Sequence, residues 1–411
     1  MIDITTTNLA KIQAKTVRTL ALGQALGGFG FGSTLSVGAI MATELSGSAA
    51  FSGAAATLST LGSAFAAIPL ANIAARRGRR YALGLGAGLA ILGAIGMITA
   101  AALRSFPVEL IALFFLGSAN AVSLQARFAA ADIPTSRPKA KDISIVVWAT
   151  TFGAVIGPNL IAPSESLGVT LGLPHLAGPF LLTILAQTLS TTVFWFGLKP
   201  DPLLLAQKID SEKRALQRRK FREAIPIVRQ KPIAAFAVIS IALSHMVMVS
   251  VMSMTPAHLS ITGHSLSDVG FTISLHVAGM YALSPIFGLI SDRFGARKTI
   301  ILGQLILLAS LAVSGFGANN FSMVVLGLFL LGLGWSSATV AGSALLSESL
   351  DISEKPVVQG LSDSLMNLSG AFGGAISGTI LILFGFAGLN AAALLPVILI
   401  VFATAYSRRW Q

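Results

Sequence analysis

The stretch "GLISDRFGARK", from Gly288 to Lys298, lies between two long apolar runs and contains four charged residues. Its first glycine is followed after three spacers by Asp292 and Arg293, then by Gly295 and two further basic residues. Each flanking run is long enough to cross a bilayer, since a membrane helix needs about 20 apolar residues. The stretch is therefore predicted to be a short loop between two membrane-spanning helices.

The rest of the chain repeats this alternation. The 411 residues are 54% apolar and only 11% charged, a balance typical of polytopic membrane proteins. We predict an all-α membrane protein with twelve transmembrane helices in two six-helix bundles. The predicted spans are 17–43, 50–72, 81–103, 107–130, 142–162, 176–198, 232–256, 268–290, 299–318, 322–346, 358–384 and 387–407.

The positive charges predict the orientation of these helices. If the N-terminus is cytoplasmic, only Arg104 of the 28 basic residues lies in an outer connection, and Arg127 lies near the inner end of the fourth span. Both termini are then cytoplasmic. Because the basic residues are dispersed over loops, the bilayer is the expected partner and nucleic acid is not. The chain has no cysteine, which excludes disulfides, zinc–thiolate sites and a thiol nucleophile.

A polar segment divides the spans into six plus six. It contains "KIDSEKRALQRRKFREA", which has the charge density of a basic amphipathic helix on the inner membrane surface. The predicted domains are a cytoplasmic N-terminus (1–16), an N-terminal bundle (17–198), a cytoplasmic linker (199–231), a C-terminal bundle (232–407) and a cytoplasmic tail (408–411).

The two halves contain an internal repeat. Gly78 and Gly295 are 217 residues apart, and "ANIAARRGRRYAL" (Ala71–Leu83) is a second copy of the opening stretch in which Ala75 replaces Asp292. A repeat of this size is typical of secondary transporters that hold their substrate near the membrane centre between two bundles.

The glycine-rich run "GQALGGFGFGS" (Gly23–Ser33) has no preceding strand and lies inside an apolar span. We therefore predict that it is a face for close helix packing and not a nucleotide-binding loop.

The loop signature resembles that between the second and third helices of each half in the major facilitator superfamily. The resemblance implies an inner gate in which Ala75 departs from the pattern. "GAVIGP" (Gly153–Pro158) also resembles the antiporter motif of the superfamily, although Ile161 and Ala162 stand where two glycines are expected. The expected gating residues are Asp292, Arg293, Arg297, Arg76, Arg79 and Arg80.

Methionine and histidine are concentrated in one window. Nine of the 10 Met and 5 His residues lie within His245–Met280. Met248 and Met252 are four apart on the seventh span, and His276 and Met280 are four apart on the eighth, so each pair shares a helix face. Met248 and His276 are both expected about 12 to 14 Å below the outer surface, near the membrane centre.

Three thioethers and one imidazole form a soft, neutral ligand set. Such a set suits Cu(I) better than Mg²⁺, Ca²⁺ or Mn²⁺, which prefer oxygen. Neutral ligands also limit the charge that the cavity holds away from water. Methionine is, however, a common gap-filler in protein cores, so packing remains the alternative interpretation of this cluster.

The same residues resemble the MxxxM and HxxxM signatures of the CcoA-like copper importers, which belong to the major facilitator superfamily. The resemblance implies copper import across a bacterial inner membrane for cytochrome c oxidase assembly, with Met248, Met252, His276 and Met280 as ligands. The missing cysteines depart from relatives that carry them. We expect copper as the transported substrate, no prosthetic group, no enzymatic activity, a monomer, and copper chaperones as further partners.

Further polar residues remain candidates. His245, Met254 and His258 are candidate accessory metal ligands, and Asp363 and Asn367 share a face of the eleventh span that suggests coupling. Arg127 and Asp132 are expected to pair as a gate. Two other functions stay open: a proton-coupled drug or metabolite antiporter, and a metal sensor or chaperone-docking protein.

Overall fold

The computed structural model describes residues 6–47, 51, 54–134, 139–211 and 221–407, and all regular structure in these ranges is helical. The predicted all-α class is confirmed. Two 3₁₀ turns, Gly157–Leu160 and Phe221–Glu223, accompany the α-helices. The helices are α1 (Thr6–Ser46), α2 (Ala54–Arg77), α3 (Arg79–Leu103), α4 (Phe106–Ala129), α5 (Lys139–Ile156), α6 (Ile161–Thr170), α7 (Gly178–Gly197), α8 (Pro202–Ser211), α9 (Ala224–Gln230), α10 (Pro232–Ile261), α11 (Leu266–Tyr281), α12 (Ser284–Phe294), α13 (Ala296–Phe316), α14 (Phe321–Ser349) and α15 (Lys355–Ser407).

Nine helical segments within the described ranges are long and apolar enough to cross a membrane. The predicted fifth span is divided between α5 and α6 by the turn Gly157–Leu160. The predicted eleventh and twelfth spans correspond to the two parts of α15, which are separated by a kink at Gly385, where φ 67° and ψ −175° are not helical. The count of nine is below twelve partly because one predicted helix is interrupted and because the two parts of α15 are counted as one segment.

The predicted eighth span is also interrupted, between α11 and α12. Pro285 occupies the first turn of α12, where its missing N–H costs nothing but prevents continuation of the α11 hydrogen-bond ladder. The Ser284 hydroxyl donates to the Tyr281 carbonyl oxygen at 2.7 Å and so satisfies one acceptor at the end of α11. Met280 consequently lies one residue before the end of α11, at a helix break near the middle of the candidate span Asp268–Phe294.

The internal repeat has a conformational basis in two glycines. Gly78 precedes α3 with φ 91° and ψ 170°, and Gly295 precedes α13 with φ 96° and ψ 144°. Non-glycine residues rarely adopt these angles, because their Cβ atom clashes with the backbone. The glycine shared by the two copies therefore makes the same sharp turn into a helix in each half.

Two compact units make up the protein. The segments 138–148 and 351–364 each group with the unit formed mainly by the other half of the sequence. Unit 1 comprises the described residues within Met1–Arg137, Ala149–Ala224 and Asp351–Ser364, and unit 2 those within Pro138–Trp148, Ile225–Leu350 and Leu365–Gln411.

The glycine-rich face of α1 packs closely in unit 1, as the sequence predicts. A Cβ atom on Gly28 would lie 3.0 Å from the Cα atom of Gly153, so α1 and α5 approach each other backbone to backbone. The Ser190 hydroxyl on α7 donates to the Gly23 carbonyl oxygen at 2.9 Å. Small residues allow this contact between membrane helices.

The linker begins with α8, whose apolar side chains pack in unit 1. Leu203 contacts a cluster with Ala74 and Ala82, and Leu205 contacts one with Leu9 and Ile133. Most of the basic amphipathic helix predicted in 208–224 lies outside the described residues, as do the tail 408–411 and the first five residues of the N-terminus.

Candidate functional site

One stripe of α10 carries the predicted MxxxM pair. Ile241, His245, Met248 and Met252 fall within about 60° of one another on an α-helix with 3.6 residues per turn. The first two face α14: a Cβ atom on Gly342 would lie 2.7 Å from Ile241 Cγ1, and Trp335 donates to His245. Met248 on the same stripe is buried, with 2% exposure, and Met252 is half-buried.

The predicted HxxxM pair lies where α11 meets α14. His276 is fully buried, and its Nδ1 atom is 2.7 Å from the Leu328 carbonyl oxygen. A Cβ atom on Gly332 would lie 2.8 Å from the Met280 backbone nitrogen, so the two helix backbones nearly touch at that level. Met280 is buried as well.

Both pairs are directed towards one face of α14. Leu328 contacts His276, Gly332 contacts the Met280 backbone, and Trp335 contacts His245. These three α14 positions have the spacing i, i+4, i+7 and cover about 10 Å of helix length. The stripes on α10 and α11 that carry the four predicted ligands therefore meet the same two turns of α14 in unit 2.

The hydrogen bond of His276 determines its chemistry. A carbonyl oxygen can only accept, so Nδ1 must carry the proton that it donates to Leu328. In the neutral ring Nε2 then has a free lone pair, and it has no hydrogen-bond partner among the described residues. A ring held by a backbone carbonyl through one nitrogen, with the other nitrogen bare, is the arrangement found in metal-ligating histidines.

The candidate accessory ligands have other contacts. Trp335 Nε1 donates to His245 Nδ1 at 3.0 Å, which assigns the proton of a neutral His245 to Nε2. The Nε2 atom of His258 donates to the Ala318 carbonyl oxygen at 2.7 Å, and its ring stacks on Phe386. Met254 faces α15, where a Cβ atom on Gly378 would lie 3.8 Å from the Met254 sulfur. Within the described part of the chain, no three His, Asp or Glu side chains gather into a metal-binding group.

Asp292 in the intact loop copy caps a helix. Its carboxylate accepts from the backbone N–H groups of Ala140 at 3.2 Å and Lys141 at 2.9 Å, both in the first turn of α5. A carboxylate at a helix N-terminus satisfies free donors and interacts favourably with the helix dipole. Arg293 is exposed and lies over the Phe294 ring, and Arg297 is half-buried.

The second copy of the loop, Ala71–Leu83, makes a different set of contacts. Arg79 is buried and forms a salt bridge with Asp132 at 2.8 Å, and it also donates to the Gln359 side chain on α15. Arg80 lies over the rings of Tyr81 and Trp195, whereas Arg76 is exposed. The loop copies therefore contribute a helix cap in unit 2 and a buried charge network in unit 1.

A second buried salt bridge belongs to that network. Arg127 Nη2 and Asp363 Oδ1 are 2.7 Å apart. The expected Arg127–Asp132 pair is therefore wrong as a pairing, because Asp132 forms its salt bridge with Arg79 and Arg127 with Asp363. The side chains lie on different helices, which spacing along one helix could not predict. Asn367, one turn further along α15, is buried in unit 2.

Two residues of interest were missed by the sequence reasoning. Trp335 is buried between His245 and Tyr281, whose ring it meets edge-on at 5.8 Å. Glu109 is fully buried in the first turn of α4. A signal existed for the second residue, since Glu109 is a carboxylate inside the apolar run "FPVELIALFF".

Comparison with known proteins identifies the family. The sequence profile of the Major Facilitator Superfamily matches residues 20–271 and 237–409. The chain belongs to the Major Facilitator Superfamily. It is a multi-pass membrane protein and, like the family, a secondary transporter and not an enzyme.

Relatives within the superfamily differ in what is known of their substrates. The chain is 36% identical over 405 residues to the uncharacterized transporter YddS of Bacillus subtilis, covering 98% of this chain and 93% of that protein. It is 27% identical over 391 residues to the riboflavin transporter RfnT of Brucella anthropi, covering 92% and 94%. Both relatives align with more than nine-tenths of this chain. Such an alignment does not by itself identify the substrate.

The fold is shared with solved facilitator structures. The human organic anion transporter MFSD10 superimposes with a TM-score of 0.73 at 18% identity, covering 95% of this chain and 99% of that chain. At this identity the likeness concerns the fold alone. It supports the predicted architecture of twelve helices in two bundles.

Proposed function

We propose that this transporter imports copper, as Cu(I), with Met248, Met252, His276 and Met280 as the ligands that carry the ion. The observation that supports this most is His276, whose Nε2 lone pair is buried and without a partner among the described residues. A lone pair of this kind is costly unless a cation or a donor uses it. In this proposal Cu(I) is the missing partner.

The neighbouring thioethers fit the same ion. Sulfur in methionine is a soft, neutral ligand with no proton to lose, and together with imidazole it favours Cu(I) over hard cations. Met248 and Met252 lie on the α10 stripe that faces α14, and α14 also contacts His276. A small movement of these helices would bring the ligands of both stripes into contact with one ion. The reverse movement would separate the ligands and release the ion.

The wider setting is part of the proposal. We place the protein in the bacterial cytoplasmic membrane with both termini inside, where it supplies copper for cytochrome c oxidase assembly as a monomer without a prosthetic group. Copper chaperones would receive the ion. The residues Asp292, Arg293, Arg297, Arg76, Arg79 and Arg80 serve as the inner gate, and alternating access exposes the site to each side in turn.

A second candidate substrate is a planar heteroaromatic metabolite. Trp335 and Tyr281 meet edge to face, and His245 lies beside them as the acceptor of the Trp335 indole N–H. Aromatic faces with one polar group are typical of sites for flat ring systems. The resemblance to a riboflavin transporter over most of the chain favours this class, so riboflavin is the natural probe for it.

One experiment separates these candidates. Copper accumulation and riboflavin uptake are measured in cells and proteoliposomes for the parent and for the variants His276→Ala and Met252→Leu. Met323→Leu is the control, since Met323 is an exposed residue on α14. Leucine preserves the volume of methionine, so folding should survive.

We expect copper accumulation by the parent and the control, and its loss in His276→Ala and Met252→Leu. Equal copper accumulation in all four proteins would reject the copper proposal. Riboflavin uptake without copper uptake, abolished by Trp335→Leu, would establish the second candidate instead.

A further inference from the structure

A groove lies between α2 and α3 on the surface of unit 1. Its volume is about 160 Å³. Phe65, Pro69 and Ile73 line the groove from α2, and Leu85 and Leu89 line it from α3. The side chains of Phe65 and Leu85 are exposed, so the groove is open at the surface of the protein. Neither candidate substrate site includes these residues.

The floor of the groove is formed by α4. Phe114, Phe115 and Ser118 line it there, and Ser118 is the one lining residue with a polar side chain. The Ser118 hydroxyl lies 2.8 Å from the Gly86 carbonyl oxygen and donates its proton inside the bundle. The groove therefore suits an apolar ligand. A cavity of about 150 Å³ holds benzene, so the groove has room for a chain segment of about six carbon atoms.

The stripe of α2 that lines the groove continues to an arginine. Phe65, Pro69, Ile73 and Arg76 have the spacing i, i+4, i+8, i+11 and fall within about 80° of one another on an α-helix. Arg76 lies about 4.5 Å beyond Ile73 along the helix axis. Arg76 and Arg77 are both exposed in the last turn of α2. Two positive charges therefore stand at one end of the groove.

The other side of α2 is packed inside unit 1. The Ser364 hydroxyl donates to the Ala64 carbonyl oxygen at 2.8 Å, and Gly360 faces the side chain of Ala71. These two alanines lie about 150° from the centre of the groove stripe on a helix of 3.6 residues per turn. Because α2 is long and apolar enough to cross a membrane, its exposed stripe is the side that contacts lipid tails.

Arg76 and Arg77 differ from the other two arginines of the same loop copy. Arg79 is buried in a salt bridge with Asp132, and Arg80 lies over two aromatic rings. Neither Arg76 nor Arg77 forms a salt bridge with a described residue. Their charges are therefore available to an anion outside the protein.

The departure of this loop copy from the intact one favours such an anion. Asp292 precedes Arg293 in the intact copy, whereas Ala75 precedes Arg76 here. The carboxylate next to the arginine is thus missing from the copy that has the groove. The charge distribution predicts that this end of α2 is cytoplasmic. Basic pockets between membrane helices on that side bind the headgroups of anionic lipids.

We propose that the groove and the two arginines bind one anionic phospholipid of the inner leaflet. One acyl chain lies in the groove along the α2 stripe, and the headgroup phosphate contacts Arg76 and Arg77. Both contacts are possible at once because the groove and the arginines follow each other on one helix. The proposal does not depend on which substrate is carried.

The headgroup is tested by native mass spectrometry of the purified full-length protein. The two probes are dioleoyl phosphatidylglycerol, which is anionic, and dioleoyl phosphatidylcholine, which has the same chains and no net charge. We expect the parent to prefer phosphatidylglycerol. Arg76→Gln with Arg77→Gln should weaken its binding about tenfold or more, since each basic residue near an anionic surface contributes a factor of about five. The control, Lys11→Gln with Arg18→Gln, removes two exposed charges from α1 and should keep the preference.

The acyl chain is tested by cross-linking in lipid nanodiscs. The probe is phosphatidylglycerol with a photoactivatable diazirine in one acyl chain. We expect its cross-links to concentrate in residues 62–73 and 85–89 of the parent and to be lost in Ala66→Phe, which fills the groove. Leu92→Phe, at an exposed position of α3 outside the groove, is the control and should keep them. Equal melting temperatures of the two variants verify that both are folded.

Three results would overturn the proposal. The first is equal binding of the two lipids by the parent, or unchanged phosphatidylglycerol binding in the double arginine variant. The second is an even spread of cross-links over the exposed faces of the helices. The third is displacement of the lipid by inorganic phosphate alone, which would show an adventitious ion only. None of these assays contains copper, so they are decided separately from the copper proposal.

Discussion

Arg127 Nη2 and Asp363 Oδ1 form a salt bridge of 2.7 Å between two side chains that are 2% and 0% exposed. The pair joins α4 to the first part of α15, which are 236 residues apart in the sequence. Asp132 and Arg79 form a comparable buried pair on the same unit. These contacts tie the start of α15 to helices of the N-terminal half.

Removal of one partner of the Arg127–Asp363 pair should lower the stability of the protein. Asp363→Leu leaves a buried guanidinium group without its carboxylate, which typically destabilises a protein by about 3 to 5 kcal/mol. Replacing both partners, Arg127→Met with Asp363→Leu, should recover most of that stability. Thermal unfolding of the purified protein in detergent measures both effects. Additive losses in the double variant would contradict this expectation.

Removal of the α5 cap should impair conformational cycling. Asp292→Ala removes the acceptor for two backbone N–H groups, and loss of a helix cap costs about 1 kcal/mol. We expect slower transport in Asp292→Ala and faster amide hydrogen exchange at residues 139–144. Ala75→Asp, at the equivalent position of the other copy, is the control and should change transport less. Full transport activity in Asp292→Ala would refute the expected functional difference between the two loop copies.

The close approach of α11 and α14 should not tolerate a larger side chain. Gly332→Ala places a Cβ atom 2.8 Å from the Met280 nitrogen, and the overpacking is expected to cost about 1 to 3 kcal/mol. Because the helices must separate, copper affinity should fall as well. Gly270→Ala on α11 meets no atom within 4 Å and serves as the control. Equal melting temperatures and copper affinities for the two variants would argue against a tight contact.

The two repeat glycines should differ in their tolerance of alanine. Gly295→Ala meets no atom within 4 Å, so its cost is the backbone strain of about 1 to 3 kcal/mol. Gly78→Ala adds a clash, since its Cβ atom would lie 2.7 Å from Asp201 Oδ1. We expect a lower melting temperature for Gly78→Ala than for Gly295→Ala, which differential scanning fluorimetry can resolve. The opposite order would show that the Asp201 side chain moves away freely.

Local patterns predicted much of the fold. Apolar runs predicted the helices, because a backbone inside a bilayer must satisfy its own hydrogen bonds. The repeat that contains Gly78 and Gly295 predicted a loop in each half, and the structure added the sharp turns before α3 and α13. The breaks were harder to predict. Pro285 was visible, but whether a proline bends a membrane helix or ends it depends on what satisfies the freed groups, here Ser284.

The candidate site was only partly accessible to sequence reasoning. The spacing of Met248 and Met252, and of His276 and Met280, predicted which residues share a face of one helix. It could not reveal that α14 faces both pairs, since Leu328, Gly332 and Trp335 contain no metal-ligating group. Their role depends on which helices are neighbours.

The sequence by itself determined the helical class, the repeat and the pairs of residues that share a helix face, because these follow from hydrophobicity and from the period of a helix. Tertiary structure decided the partners and the burial of polar groups: Asp363 pairs with Arg127, the Leu328 carbonyl oxygen accepts from His276, and Glu109 is fully buried. Partners depend on contacts between residues far apart in the chain. Burial then gives each polar group its chemistry, since a group enclosed away from water must find a partner, a proton or an ion.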